Sequence, residues 1–274
     1  MTPTRERTET TFERTLTVTG PVTLNVSANS GVIRILPGEA GSVRVRGVAR
    51  ARSFLSFGIF VGGTPMERLR RIESNPPIMQ DGNAIAVGDV ADRWLLRGIN
   101  LLIEIVTPSG TEVRALADSG NIRIEGIDGP VECETDSGEI NISKIGCDVR
   151  ASSDSGSIHI RGVKGAVDAR ANSGHIEALE VAGTIDATSD SGDIRVSQTL
   201  VRPICAKADS GRIRVQLAPG GGYCVRARTD HGRVDLPVLT RQRLSRHEFE
   251  GDVRGGGSVV DLETDSGDIE VVAE

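Results

Sequence analysis

Aromatic side chains are scarce, with Phe, Trp and Tyr making up 3% of 274 residues. Any core must be assembled from Ile, Val, Leu and Ala, which suits a thin cross-section. Cysteine is scarce too: Cys133, Cys147, Cys205 and Cys224 show no Cys-x-x-Cys spacing. Four are too few for a disulfide scaffold of this size, so they read as free thiols in a reducing compartment. No apolar run reaches the ~18 residues of a membrane-spanning helix; the nearest, FLSFGIFVGG at Phe54 to Gly63, is short and rich in Gly. The opening MTPTRERTETTFERTL lacks the apolar centre and small-residue cleavage site of a secretory signal. The expectation is a cytoplasmic protein, with cell-surface association left open. No basic block of five residues occurs, and the net charge is −6 with pI near 5.4. Phosphate binding needs concentrated Lys and Arg, so a nucleic-acid partner is excluded.

What the chain does have is glycine, 33 of them, and a period. Asp-Ser-Gly or Asn-Ser-Gly begins at Asp118, Asp136, Asp154, Asn172 and Asp190, a step of 18 residues each time. Further copies begin at Asn29, Asp209, Asp230 (as Asp-His-Gly) and Asp265. Four residues after each regular start stand Ile122, Ile140, Ile158, Ile176, Ile194 and Ile213, and two later Ile124, Ile142, Ile160, Ala178, Val196 and Val215. Polar residues, Arg123, Asn141, His159, Glu177, Arg195 and Arg214, separate them, which is strand alternation. A second alternating run has Val131, Val149, Val167 and Ile185, then Cys133, Ala151, Ala169 and Ala187, with Glu132, Arg150, Asp168 and Asp186 between. A middle apolar column, Ile127, Ile145, Val163 and Val181, precedes a corner containing Gly.

Two short strands per repeat cannot bury an apolar face alone, so repeats must stack, each residue over its equivalent at ~4.8 Å. The expected fold is all-β: a right-handed parallel β-solenoid (β-helix) with coils of about 18 residues, right-handed being the default for parallel connections. It forms one domain, 1–274, with an irregular insertion at 51–98, regular coils at 100–235, an excursion at 236–257 and a final coil at 258–274. In the insertion, TPMERLRRIESNP carries helix signals: Thr64 as N-cap, Pro65 in the first turn, Glu67 closing a capping box and Pro76 as the stop. Met66, Leu69 and Ile72 share its apolar face, predicting a short helix that caps or flanks the solenoid.

Asp-Ser-Gly has two readings, a turn and a carboxylate ladder for calcium or sugar. Gly tolerates φ > 0 and Asp bonds the backbone two residues on, so turn chemistry alone sustains the motif. Asn29 and Asn172 suit a turn better than a metal site. The expectation is that the aspartates cap their own turns, with no catalytic, cofactor-binding or metal-binding residue. The histidines, His159, His175, His231 and His247, form no spaced ligand set, and His231 replaces the recurring Ser rather than serving it as a base. Counting columns puts Cys133 in the core, Cys205 outward and Cys224 near a corner, with only Cys205 and Cys224 close enough across adjacent coils to be bridged. Phe54, Phe57 and Phe60 form the one aromatic cluster, a candidate hydrophobic contact for a partner subunit; contact with a membrane is the weaker alternative.

The FERTLTV start, the x-S-G-x-I-x-I strands, the Asp-Ser-Gly ladder and the late GGGSVVDLETDSGDIEV together resemble the bacterial putative-adhesin family of β-strand-repeat domains of unknown function. The resemblance covers nearly the whole chain and implies no catalytic residue. The functional expectation is a non-enzymatic scaffold or adhesin-like binding protein for a protein or glycan, with self-association open. The alternative is a carbohydrate-active enzyme, a lyase or glycosidase, on a β-solenoid.

Overall fold

The computed structural model describes residues 9–51, 64–88, 99–236, 240–243 and 247–273. Phe54, Phe57 and Phe60 lie outside them. Among the described residues, 23 strands join into one continuous sheet, most of it parallel, wound as a β-solenoid with two walls. Register is strict: Val131, Val149, Val167 and Ile185 stack on the first wall, and Ile122, Ile140, Ile158, Ile176, Ile194 and Ile213 on the second. Each of these side chains is buried, whereas Asn141, Arg150 and Arg195 between them face water. Burying one Ile or Val contributes about 1.5–3 kcal/mol, and a one-residue slip would expose the whole set, so alternation determines register. The middle column, Ile127, Ile145, Val163 and Val181, is buried as well.

The corner that needs a left-handed backbone is not Asp-Ser-Gly. It lies eight residues after Asp118, Asp136, Asp154 and Asn172, where Gly126 and Gly162 have φ of 72° and 68° and the non-glycines Lys144 and Glu180 both have 58°. Among the tripeptide glycines only Gly31 has a φ in that region, at 131°. Gly138 is required for a different reason: a Cβ there would sit against the Gly120 carbonyl of the coil below, and the same close approach recurs at Gly156, Gly174 and Gly192. Just inside that corner, buried hydroxyls tie the coils together. Thr135 Oγ1 donates to Gly120 O (3.3 Å), Ser189 Oγ to Gly174 O (3.2 Å) and Thr264 Oγ1 to Gly211 O (3.1 Å).

Coils do not stack in chain order at either end. Strand Thr23–Gly38 runs through both walls and lies between Ala84–Val87 with Ile99–Pro108 on one side and Glu112–Glu125 on the other. Asn29 thereby stands beside Asp118. At the other end, the coil of Ser258–Ser266 and Ile269–Ala273 inserts between the coils starting at Ile204 and at Tyr223. The final coil in sequence is thus the penultimate one in space. Residues 84–87, within the expected irregular insertion, are a regular rung, Leu24 pairing with Ile85.

Antiparallel strands finish the ends. Ser42–Ala51 pairs with Ile99–Pro108 and Glu9–Thr17 pairs with Ser42–Ala51, while Glu248–Val253 covers Tyr223–His231. Helix Pro65–Ser74 packs on the two N-terminal end strands, burying Leu69 and Ile72 and half-burying Met66. Its capping box is formed: Glu67 N donates to Thr64 Oγ1 (3.3 Å) and Thr64 N donates to Glu67 Oε2 (2.9 Å).

Candidate functional site

The Asp-Ser-Gly corner makes a ladder of nine rungs in the spatial order Asn29, Asp118, Asp136, Asp154, Asn172, Asp190, Asp209, Asp265 and Asp230. All nine side chains are exposed. The expectation that these aspartates cap their own turns is overturned. The corner is held by main chain, Ser137 N donating to Asp118 O (2.9 Å) and Ser155 N to Asp136 O (2.8 Å). Among the described residues, the side chains of Asp118, Asp136, Asp190, Asp209 and Asp265 make no hydrogen bond. Backbone capping falls to the column three residues further on. Asn121 Oδ1 accepts from Glu139 N (3.0 Å), Asp193 Oδ1 from Arg212 N (2.8 Å) and Asp268 Oδ1 from Arg233 N (2.9 Å). His175 occupies that column and accepts from Asp193 N through Nδ1 (3.0 Å). Among the described residues no group of three His, Cys, Asp or Glu is placed to hold a metal ion.

Each wall carries a groove on its outer face. The first, of about 490 Å³, runs over Asn25, Arg114, Glu132, Arg150, Asp168 and Asp186. There Asp168 is held by Arg150 (3.3 Å) and Arg170 (3.2 Å). The second, of about 630 Å³, is lined by Arg123, Glu139, Asn141, His159, Arg161 and Glu177. His159 stands between two carboxylates, Nε2 lying 3.4 Å from Glu139 and Nδ1 3.6 Å from Glu177, which also meets Arg195 at 3.2 Å. This His–Glu grouping escapes a sequence scan because its members come from three successive coils. The column count that places His159 and Glu177 side by side is the signal that could have found it. Such exposed pairs contribute only ~0–1 kcal/mol each, so they shape a polar surface more than they hold the fold. Lys144, bonded to Glu125 Oε1 at 2.8 Å, holds that carboxyl below its ordinary range.

The thiols fall where the column count places them: Cys133 buried, the other three partly exposed, all free. Burial pushes the Cys133 thiol up strongly, with Glu132 adding to it. Cys205 is raised by burial and then by Asp186, and Cys224 by burial and its hydrogen bond to Glu250. The expected proximity of Cys205 and Cys224 is corrected. Residues 258–266 lie between their strands, Cys205 pairing with Asp261 and Cys224 with Val259. The same insertion sets His231 beside Ser266, and among the described residues no hydrogen bond joins their side chains.

The wound sheet and its ladder have counterparts. A family model described as Toastrack DUF4097 matches residues 80–272, more than half of the chain. The chain belongs to the Toastrack family. The matched span of this Toastrack protein leaves out strand Thr23–Gly38, although that strand is an internal rung of the sheet. Among solved structures, a putative adhesin from Bacteroides fragilis is 14% identical, with 96% of this chain and 97% of that chain covered and a TM-score of 0.51, a likeness of fold. A putative cell adhesion protein from Clostridium sporogenes is 11% identical over 97% of this chain and 100% of its own, with a TM-score of 0.28, too low to bear on the argument. No curated protein matches. Among the described residues, no helix is long and apolar enough to cross a membrane.

Proposed function

We propose that this Toastrack chain is a single-domain, non-enzymatic scaffold that binds a protein or glycan partner along its outer walls. The observation carrying this reading is the outer surface itself. Charged columns repeat at the ~4.8 Å coil spacing, and both grooves run along these flat faces rather than into the core. A rigid polar lattice of this kind matches an extended partner by register, with electrostatic complementarity giving specificity. The adhesin description of the Bacteroides fragilis neighbour is in keeping with a binding role. Four free thiols support a reducing compartment for the scaffold, and that same neighbour supplies the cell surface as the alternative.

A second reading is favoured by one feature: Glu139 and Glu177 flank His159 in the larger groove, and a pair of carboxylates is the equipment of a glycoside hydrolase. Against it, none of the described aromatic rings is exposed to stack on a sugar, Phe12 and Tyr223 being buried and Phe249 half-buried. A glycan array run beside a polysaccharide degradation assay on the full chain separates the two. The scaffold reading expects saturable binding without turnover. Turnover lost in Glu139→Gln or Glu177→Gln would sink it.

A further inference from the structure

The outer face of the second wall changes character at its N-terminal end. In the regular coils the position just after Gly is polar throughout, as in Asn121, Glu139, Ser157, His175 and Asp193. Across strands Ser42–Ala51, Ile99–Pro108 and the second half of Thr23–Gly38, the same row is Val48, Leu102 and Val32. Leu102 is 45% exposed, one of few large apolar side chains so placed. Four residues further on, a parallel row holds Val106 beside Leu36. Val32, Val48, Val106 and Leu36 are only half-buried, so among the described residues nothing covers this aliphatic surface. Exposed apolar area rimmed by charge marks a contact face.

The row between the aliphatic ones identifies the occupant. Across Glu9–Thr17, Ser42–Ala51, Ile99–Pro108 and Thr23–Gly38 it reads Glu13, Arg46, Glu104, Arg34, with signs minus, plus, minus, plus. All four face water, Glu104 partly, and Arg34 meets Glu104 at 3.5 Å within the chain. A two-fold axis lying in the face, parallel to the strands and between Ser42–Ala51 and Ile99–Pro108, reverses the order of the row. Every charge then meets its opposite: Arg46 faces the partner subunit's Glu104, and Glu13 faces the partner subunit's Arg34. The same operation sets Val48 against the partner subunit's Leu102. We propose that this face is the self-complementary interface of a homodimer, the occupant being a second copy of the chain. An isologous contact of this kind closes on itself and does not propagate.

Sedimentation equilibrium on the full chain, with melting curves to confirm folding, tests the proposal. The native chain should show a concentration-dependent species of about twice 29.0 kDa, weakened by added salt. Leu102→Gln, Arg46→Glu and Glu104→Arg should each raise the dimer dissociation constant roughly tenfold or more. The double variant Arg46→Glu/Glu104→Arg should restore it, because the row then reads minus, minus, plus, plus and still meets its opposite across the axis. A chain that stays monomeric at every concentration overturns the proposal, as does a dimer indifferent to these changes. So does a monomer that sediments with phosphatidylcholine/phosphatidylglycerol vesicles and loses this in Leu102→Gln.

Discussion

Gly138 and Asp136, two residues apart, answer to different physics. Gly138→Val should lower the melting temperature sharply, because its side chain would collide with the Gly120 carbonyl and adjacent coils cannot separate to admit it. Asp136→Asn should leave stability almost unchanged, since the native carboxylate makes no bond within its own turn. Melting curves in excess chelator and then in millimolar calcium should superpose for both the native chain and Asp136→Asn. A calcium-dependent rise lost in the variant would make the corner a cation site. Glu180, at φ 58°, is held in the region that disfavours side chains. Glu180→Gly should therefore raise stability by about 0.5–1 kcal/mol, net of the extra freedom of Gly in the unfolded chain. Lys144 shares the φ, but its replacement would lose the 2.8 Å bond to Glu125, whereas Glu180 gives up only an exposed ion pair with Arg161 at 3.7 Å.

Among elements, helix Pro65–Ser74 is the one whose limits the sequence states outright, through Thr64, Pro65, Glu67 and Pro76. Thr64→Ala removes the acceptor for Glu67 N and should cost about 1 kcal/mol, read as a lower denaturation midpoint with unchanged m-value; no change would mean that packing of Leu69 and Ile72 alone holds the helix. The strands of the regular coils are equally legible, because a period of 18 residues places equivalent positions in direct contact and the alternation then selects the buried face. The outer grooves were less so. Their lining side chains come from several coils, and no local motif marks where His159, Glu139 and Glu177 meet.

For the whole molecule, the four thiols report on coil order. Titration after denaturation without reductant should find four, because the inserted coil separates Cys205 from Cys224 and Cys133 is enclosed in the core. Two missing thiols would contradict both the free-thiol state and the spatial order of the last three coils. In the native protein Cys133 should resist alkylation. Cys205 and Cys224 should alkylate along a pH curve displaced above that of an unperturbed thiol near 8.5, since burial and neighbouring carboxylates disfavour both thiolates. Coincidence with a free-thiol curve would show that neither environment is as described.

By itself the sequence determined which side chains point inward, where the helix is capped and that the repeats stack in parallel, because each follows from short-range periodicity and local hydrogen bonding. Only the tertiary structure decided which coil neighbours which. Every coil offers the same apolar columns and the same backbone edges, so Thr23–Gly38 and residues 258–273 fit between several pairs of rungs equally well on pattern alone. Tertiary structure also reassigned the ladder's chemistry. Glycine is needed there for the approach of stacked main chains, a contact between residues 18 apart that no reading of an isolated turn contains. The alternating row Glu13, Arg46, Glu104 and Arg34 belongs to the same class, since four strands distant in the chain assemble it.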